Sequence, residues 1–180
     1  MRPPISAALL AAALSSACAG APRARPAAPP PGGSAELAAL LDRYWQDTLA
    51  LNPVLATAIG DDRYDDQLPN FLAPEYRARQ RAHADKYLRA LRTIDRARLA
   101  GQDRLSHDVL AHDVAELQEG LRFPDWMIPV HQFGSGPTFF AMLGSGRSIQ
   151  PFRTVKDYEA FLGRMDRAPP ILDQAISNMR

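Results

Sequence analysis

Four histidines, a cluster of aspartates and a few serines are the residues of this chain with chemistry to offer. His107 and His112 stand five apart, which on a helix sets them about 140° from each other. A helical zinc pair needs a spacing of four so that both imidazoles face one ion, as in H-E-x-x-H, and that motif is absent from the sequence. With Asp103, Asp108 and Asp113 nearby, both are expected on a solvated face, and no metal site is visible. His83 falls on an apolar stripe between Tyr76 and Tyr87 and is expected as a half-buried, hydrogen-bonded core histidine. His131 and Gln132 lie in an aromatic, glycine-rich run, Pro129 to Gly134, where glycine permits close backbone approach. They are the candidate substrate-proximal residues, able to hydrogen-bond a substrate backbone or, as the alternative, to satisfy neighbouring backbone groups.

Asp61, Asp62, Asp65 and Asp66 surround Arg63 and Tyr64. Clustered carboxylates suit hard cations, but these lack the alternating spacing and final Glu of an EF-hand loop. The expectation is structural: Arg63 paired with carboxylates, and Tyr64 anchoring the loop. Ser135 and Ser145 sit in G-S-G contexts rather than the G-x-S-x-G of a nucleophile elbow, so acyl-enzyme chemistry has no support. No catalytic residue is assigned, and no cofactor is expected to be held by these residues.

The elements that must position these groups are helical. Leu37, Leu40, Leu41, Tyr44, Trp45 and Leu49 mark one face of a helix opening after Ser34. Asn52-Pro53 closes it, because the residue before proline is pushed out of the α region. A short helical piece over 53–59 and a loop over 60–73 follow. Pro74, acceptable in a first turn, opens a helix over about 74–96. Gly101 resets the pattern, and a helix over about 102–121 is marked by Leu105, Val109 or Leu110, Val114, Leu117 and Leu121. Residues 122–151 hold four of the eleven glycines and four prolines among dense apolar side chains. They read as a long connection that packs on something or lines a site. Thr154 and Asp157 form a variant capping box before a stripe of Val155, Tyr158, Phe161, Leu162 and Met165. Pro169-Pro170 breaks it, and Ile171, Leu172, Ala175, Ile176 and Met179 resume the spacing. No strand hairpin is convincing, so the class is all-α.

The first 33 residues are not expected to fold. Ile5 to Leu14 is an apolar run of signal-peptide length, far short of the roughly 20 residues that span a bilayer. Small residues precede Cys18, the only cysteine, as a lipoprotein cleavage and lipidation site requires. Ser15 stands where Leu is usual, and ordinary cleavage near Ala17 or Ala19 is the competing reading. Residues 1–18 are thus read as a signal peptide, and 19–33, rich in Pro and Ala, as a disordered tether. The expected location is the periplasm or cell envelope, with membrane attachment only through a lipid on Cys18. Residues 34–180 are enough for one domain with a core. The formal charge of +1 becomes −2 once Arg2, Arg23 and Arg25 are set aside, so no basic footprint for nucleic acid exists. With no other cysteine, disulfides and thiolate metal sites are excluded.

Three stretches carry a family resemblance: Tyr44 to Asp66; Ile94 to Leu99 with Gln102 to Leu105; and Gln150 to Leu162 with Arg164-Met165. Together they resemble the N-terminal portion of the bacterial domain-of-unknown-function 885 (DUF885) family, whose members look like zinc metallopeptidases. The resemblance implies a largely helical, secreted or lipid-anchored protein longer than this chain. It also implies a downstream H-E-x-x-P-G-H-like motif, in which two histidines bind zinc and the glutamate activates the metal-bound water against a peptide bond. No position here matches those residues, so zinc and a peptide substrate are implied only for a full-length member. The N-terminal helices would form one wall of a substrate cleft, approached by the loop at 129–146.

Two readings follow. In one, the chain is the N-terminal fragment of such a protein, catalytically silent and poorly soluble alone; the last stripe, with no cap signal after Met179, favours it. The alternative is a short non-catalytic helical lipoprotein that binds a protein partner.

Overall fold

The structure, a computed structural model, describes residues 33–132 and 134–180; the expected signal peptide, Cys18 and nearly all of the expected tether lie outside them. The fold is all-α, with one two-residue strand pair. Its helices are α1 (Gly33–Leu51), α2 (Pro53–Ala58), α3 (Pro74–Leu91), α4 (Gly101–Gly120), α5 (Gly136–Gly144), α6 (Val155–Met165) and α7 (Ala168–Asn178). Val130–His131 (β1) pairs antiparallel with Gly134–Ser135 (β2).

The core lies where α1, α3 and α4 meet. Leu37 and Leu40 of α1 pack with Ala84, Tyr87 and Leu91 of α3 and with Leu110 and Val114 of α4. Ile94 and Leu99, between α3 and α4, seal one end of this cluster. The helical period put most of these residues inward, as the sequence predicts. Trp45 departs from it: one position past the stripe's centre, it is exposed. α3 also ends at Leu91 rather than near residue 96, because local polar groups take over the backbone. Thr93 donates its hydroxyl to Ala90 O (2.7 Å), and the Asp95 carboxylate accepts from Ala97 N (3.0 Å), starting a 3-10 turn at Arg96–Arg98.

α2 is stopped by Gly60. Its φ of +84° is the left-handed conformation that glycine adopts without a Cβ penalty, and it returns Asp61 N to Ala56 O at 2.9 Å.

The segment 122–151 corrects the sequence reading twice. Within what reads as one long connection lie a 3-10 turn at Asp125–Met127 and the whole of α5, and a small hairpin forms where the sequence shows no convincing one. The signal was Ser135-Gly136-Pro137-Thr138: the Ser135 hydroxyl accepts from Thr138 N (3.3 Å), and proline occupies the first turn.

α6 corrects it a third time. The capping box is present: Thr154 Oγ1 accepts from Asp157 N (3.3 Å) and Asp157 Oδ2 accepts from Thr154 N (2.9 Å). Yet Val155, Tyr158 and Leu162 of the expected core stripe face solvent. The buried face carries Ala160 and Arg164, with Gly163 beside them. A Cβ at Gly163 would stand 3.4 Å from Asp66 O, so small side chains let α6 approach the 61–67 loop closely. The proline pair does separate α6 from α7, by opening the latter's first turn.

Candidate functional site

An apolar cleft of about 960 Å³ runs between α2, the 68–72 segment, the start of α3 and the hairpin–α5 junction. Pro53, Val54 and Leu55 form one wall, and Leu68, Pro69, Phe71 and Leu72 the next. Ile128, Pro129, Gly134, Gly136 and Phe139 close the far side. Asn52, Tyr76, Asp125, His131 and Ser135 supply polar atoms around this apolar interior, the usual composition of a ligand site.

Each wall is fixed by groups behind it. Tyr76 is buried in α3 and donates its hydroxyl to Asn52 Oδ1 (3.0 Å), while Asn52 Nδ2 donates to Thr48 O (2.9 Å). Burial raises the Tyr76 pKa above the ordinary phenol value, so it stays a donor at neutral pH. Leu72 O accepts from Arg77 Nη1 (2.7 Å) and Asn178 Nδ2 (3.1 Å), and Asn70 Nδ2 donates to Pro170 O (3.2 Å). These bonds tie the second wall to α3 and α7. Phe71 meets Phe139 edge to face, with centroids 6.1 Å apart, and so joins the second wall to α5.

The strongest clamp is Arg164, fully buried on α6. Its Nε donates to Gln67 O (3.1 Å) and its Nη1 to Gln150 Oε1. Its Nη2 lies within reach of Thr57 Oγ1 (2.5 Å), Tyr64 O (3.1 Å) and Pro53 O (3.3 Å). The planar guanidinium thus holds the start of α2, the 64–67 turn and residue 150 in one place. Burial lowers its pKa, opposed by the charges of Asp65 and Asp66; Arg nevertheless remains a cation in proteins. Buried Asp65 accepts from the Thr57 hydroxyl (2.6 Å), extending the network.

Within the aspartate cluster Arg63 pairs with a carboxylate, as expected. Arg63 Nε and Nη2 grip the Asp61 carboxylate (2.9 and 2.5 Å), and Nη2 also donates to Gln46 Oε1 (2.8 Å). The Arg63 guanidinium beside it holds the Asp61 pKa below the usual carboxylate range.

His131 lies on β1 and lines the cleft; Gln132 occupies the exposed hairpin turn outside that lining. His83 is half-buried between the rings of Tyr44 (5.3 Å) and Tyr87 (4.9 Å), with Nε2 3.2 Å from Thr48 Oγ1, as expected. His107 is a correction. It is buried rather than solvated, because the inward face of α4 runs through His107, Leu110 and Val114, leaving Leu105 and Val109 outside. Its Nδ1 lies 3.4 Å from Asp108 Oδ1, while His112 is exposed. No group of three His, Cys, Asp or Glu placed to hold a metal occurs among the described residues. With His107 in the core and His112 in solvent, the described residues of α4 do not fit a zinc centre.

Asn52, Tyr76, Arg77, Asp125 and Arg164 are among the site residues that sequence reasoning missed. Nothing in a helical pattern marks an arginine as inward-facing, and within the 122–151 connection His131 and Gln132 were singled out rather than Asp125.

Fold and site together define a helical unit carrying an apolar cleft whose walls are tied to neighbouring helices. The family model described as "Bacterial protein of unknown function (DUF885)" matches residues 53–180, more than two thirds of the sequence, and the chain belongs to that family. No curated protein and no solved structure matches it. Among the described residues no helix is long and apolar enough to cross a membrane.

Proposed function

We propose that this chain is the peptide-binding N-terminal part of an exported, peptidase-like protein, attached to the envelope through a lipid on Cys18. The cleft takes an extended segment whose apolar side chains fill the space between α2 and the hairpin. One observation carries this reading: about 960 Å³ of mostly apolar lining, framed by a few fixed polar groups. An apolar side chain leaving water for such a surface gains roughly 1.5–3 kcal/mol. Asn52, His131 and Ser135 border the same cleft, within which peptide N–H and C=O groups would meet polar atoms. Zinc and bond cleavage are implied by the family resemblance alone; the residues described here supply binding and orientation.

Calorimetric titration with the capped peptide acetyl-Leu-Phe-Leu-amide tests the reading. Saturable binding is expected, with loss of about tenfold or more in affinity when Val54→Trp fills the cleft. Binding indifferent to Val54→Trp, or none at all, would remove the cleft as the site.

A second reading has its own observation. The outward face of α6, with Val155 75% and Leu162 60% exposed, suits a non-catalytic lipoprotein that binds a protein partner there.

A further inference from the structure

We propose that Arg77 binds a carboxylate beside the cleft, and that the ligand it selects is the C-terminal end of a peptide finishing in an apolar residue. This rests on the peptide-binding reading above and names the part of the peptide that is held.

Arg77 differs from the paired arginines of the chain. Arg63, Arg96 and Arg122 each meet a carboxylate within 4.0 Å, at Asp61, Asp108 and Glu119. No such ion pair involves Arg77 among the described residues, although it is half-buried. It is also immobilised: its guanidinium carbon lies 4.1 Å from the centroid of the Trp126 ring, and Nη1 donates to Leu72 O at 2.7 Å. The ring contact and one backbone bond hold the guanidinium in place and leave further N–H groups to donate. A planar fork of that kind matches a carboxylate in two parallel hydrogen bonds, and its ordering cost is met before the ligand arrives.

The position of Arg77 supplies the rest. It lines a second hollow of about 440 Å³ together with Gln80 and Trp126. That hollow shares Phe71, Leu72, Tyr76 and Asp125 with the main cleft. The two spaces therefore meet along one wall. In a C-terminal residue the carboxylate and the side chain leave the same Cα, so an apolar side chain can enter the cleft while its carboxylate turns to Arg77. An internal acidic side chain cannot do this with its own residue. Asp125 also borders both hollows and repels a carboxylate, so the ligand's charge must sit on the Arg77 side of the shared wall.

The test uses the 180-residue chain carrying Trp45→Phe, which leaves Trp126, under the Arg77 guanidinium, as the single tryptophan. Acetyl-Ala-Ala-Leu is titrated as the free acid and as the C-terminal amide, with Trp126 emission as the readout and calorimetry for affinity. The expected result is binding of the acid tighter by about tenfold or more. Arg77→Gln removes that preference, so that acid and amide bind alike, and Arg77→Lys keeps part of it. Equal affinity for acid and amide in the Arg77 protein overturns the inference and leaves the cleft reading standing. Absence of saturable binding by either peptide overturns both. The acid–amide comparison needs no Arg77 variant, so misfolding of one cannot blur the outcome.

Discussion

Arg164 Nη2 donates to Thr57 Oγ1 across 2.5 Å, joining residues 107 positions apart in the sequence. Through this bond α6 holds α2, and α2 forms the first wall of the cleft. The buried guanidinium therefore links the stability of the C-terminal helices to the shape of the site.

Replacing it should be costly. Arg164→Leu leaves the oxygens of Pro53, Thr57, Tyr64, Gln67 and Gln150 without this donor and the Asp65 charge without its neighbouring cation. A loss of about 3 kcal/mol is expected, or roughly 10 °C in thermal midpoint. Arg164→Lys recovers only part, because an ammonium cannot span acceptors set for a planar fork. Thermal and urea unfolding followed by circular dichroism measure both; a leucine variant as stable as the parent would remove Arg164 as the clamp.

The outward face of α6 makes the opposite prediction. Val155→Lys and Leu162→Gln fall on its expected apolar stripe, yet the side chains are exposed. Each should change unfolding free energy by less than about 0.5 kcal/mol. Losses of 2 kcal/mol or more, as core truncation gives, would mean that the helix is turned the other way.

That contrast shows what the sequence could convey. The breaks at Pro53, Gly60, Gly101 and Pro169 and the Thr154–Asp157 box were legible, because each acts through local backbone chemistry. The α1–α3–α4 core was legible because one apolar stripe per helix had a partner. On α6 periodicity misled: small Ala160 and Gly163 permit close approach and admit Arg164, so packing chose the less apolar side. His107 was misplaced for a related reason, since neighbouring aspartates suggested water while its spacing from Leu110 and Val114 fixed its face. α5 was missed because its cap lies within glycines and prolines that also read as loop. Of the cleft, His131 was legible from its aromatic, glycine-rich setting, whereas the Arg77–Trp126 stack joins residues that no spacing connects.

The helix cap gives a third prediction. Thr154→Ala removes the acceptor for Asp157 N at the start of α6 and should cost about 1 kcal/mol. Amide exchange should quicken in the first turn of α6 while the α1–α3–α4 core keeps its protection. Unchanged exchange there would discount the box.

His83 sets a pH dependence. Burial between Tyr44 and Tyr87 lowers its pKa below 6.5, with Asp47 opposing and Lys86 assisting that shift. The unfolded chain then takes up a proton at a higher pH than the folded one does. Its contribution is therefore complete above pH 6.5 and is lost as pH falls through the folded value. His83→Phe should flatten stability against pH in that window, as unfolding midpoints at successive pH values would reveal. An unchanged slope would assign the effect elsewhere.

Asp108 titrates lower still. The Arg96 guanidinium, with Nε 2.6 Å from Oδ1, draws its carboxyl down to about 2. Carbon-detected NMR titration should place the Asp108 midpoint there and return it towards the ordinary carboxylate range in Arg96→Ala. An Asp108 midpoint near 4 in the parent protein would show the ion pair to be absent in solution.

Peptide binding between α2 and the hairpin is read out by hydrogen exchange with and without acetyl-Leu-Phe-Leu-amide. Slowed exchange is expected at residues of the cleft lining, 52–55, 71–72, 128–129, 131 and 134–136. Slowing concentrated instead on 155–165 of α6, with the cleft segments unchanged, would contradict it and transfer binding to the outer helical face.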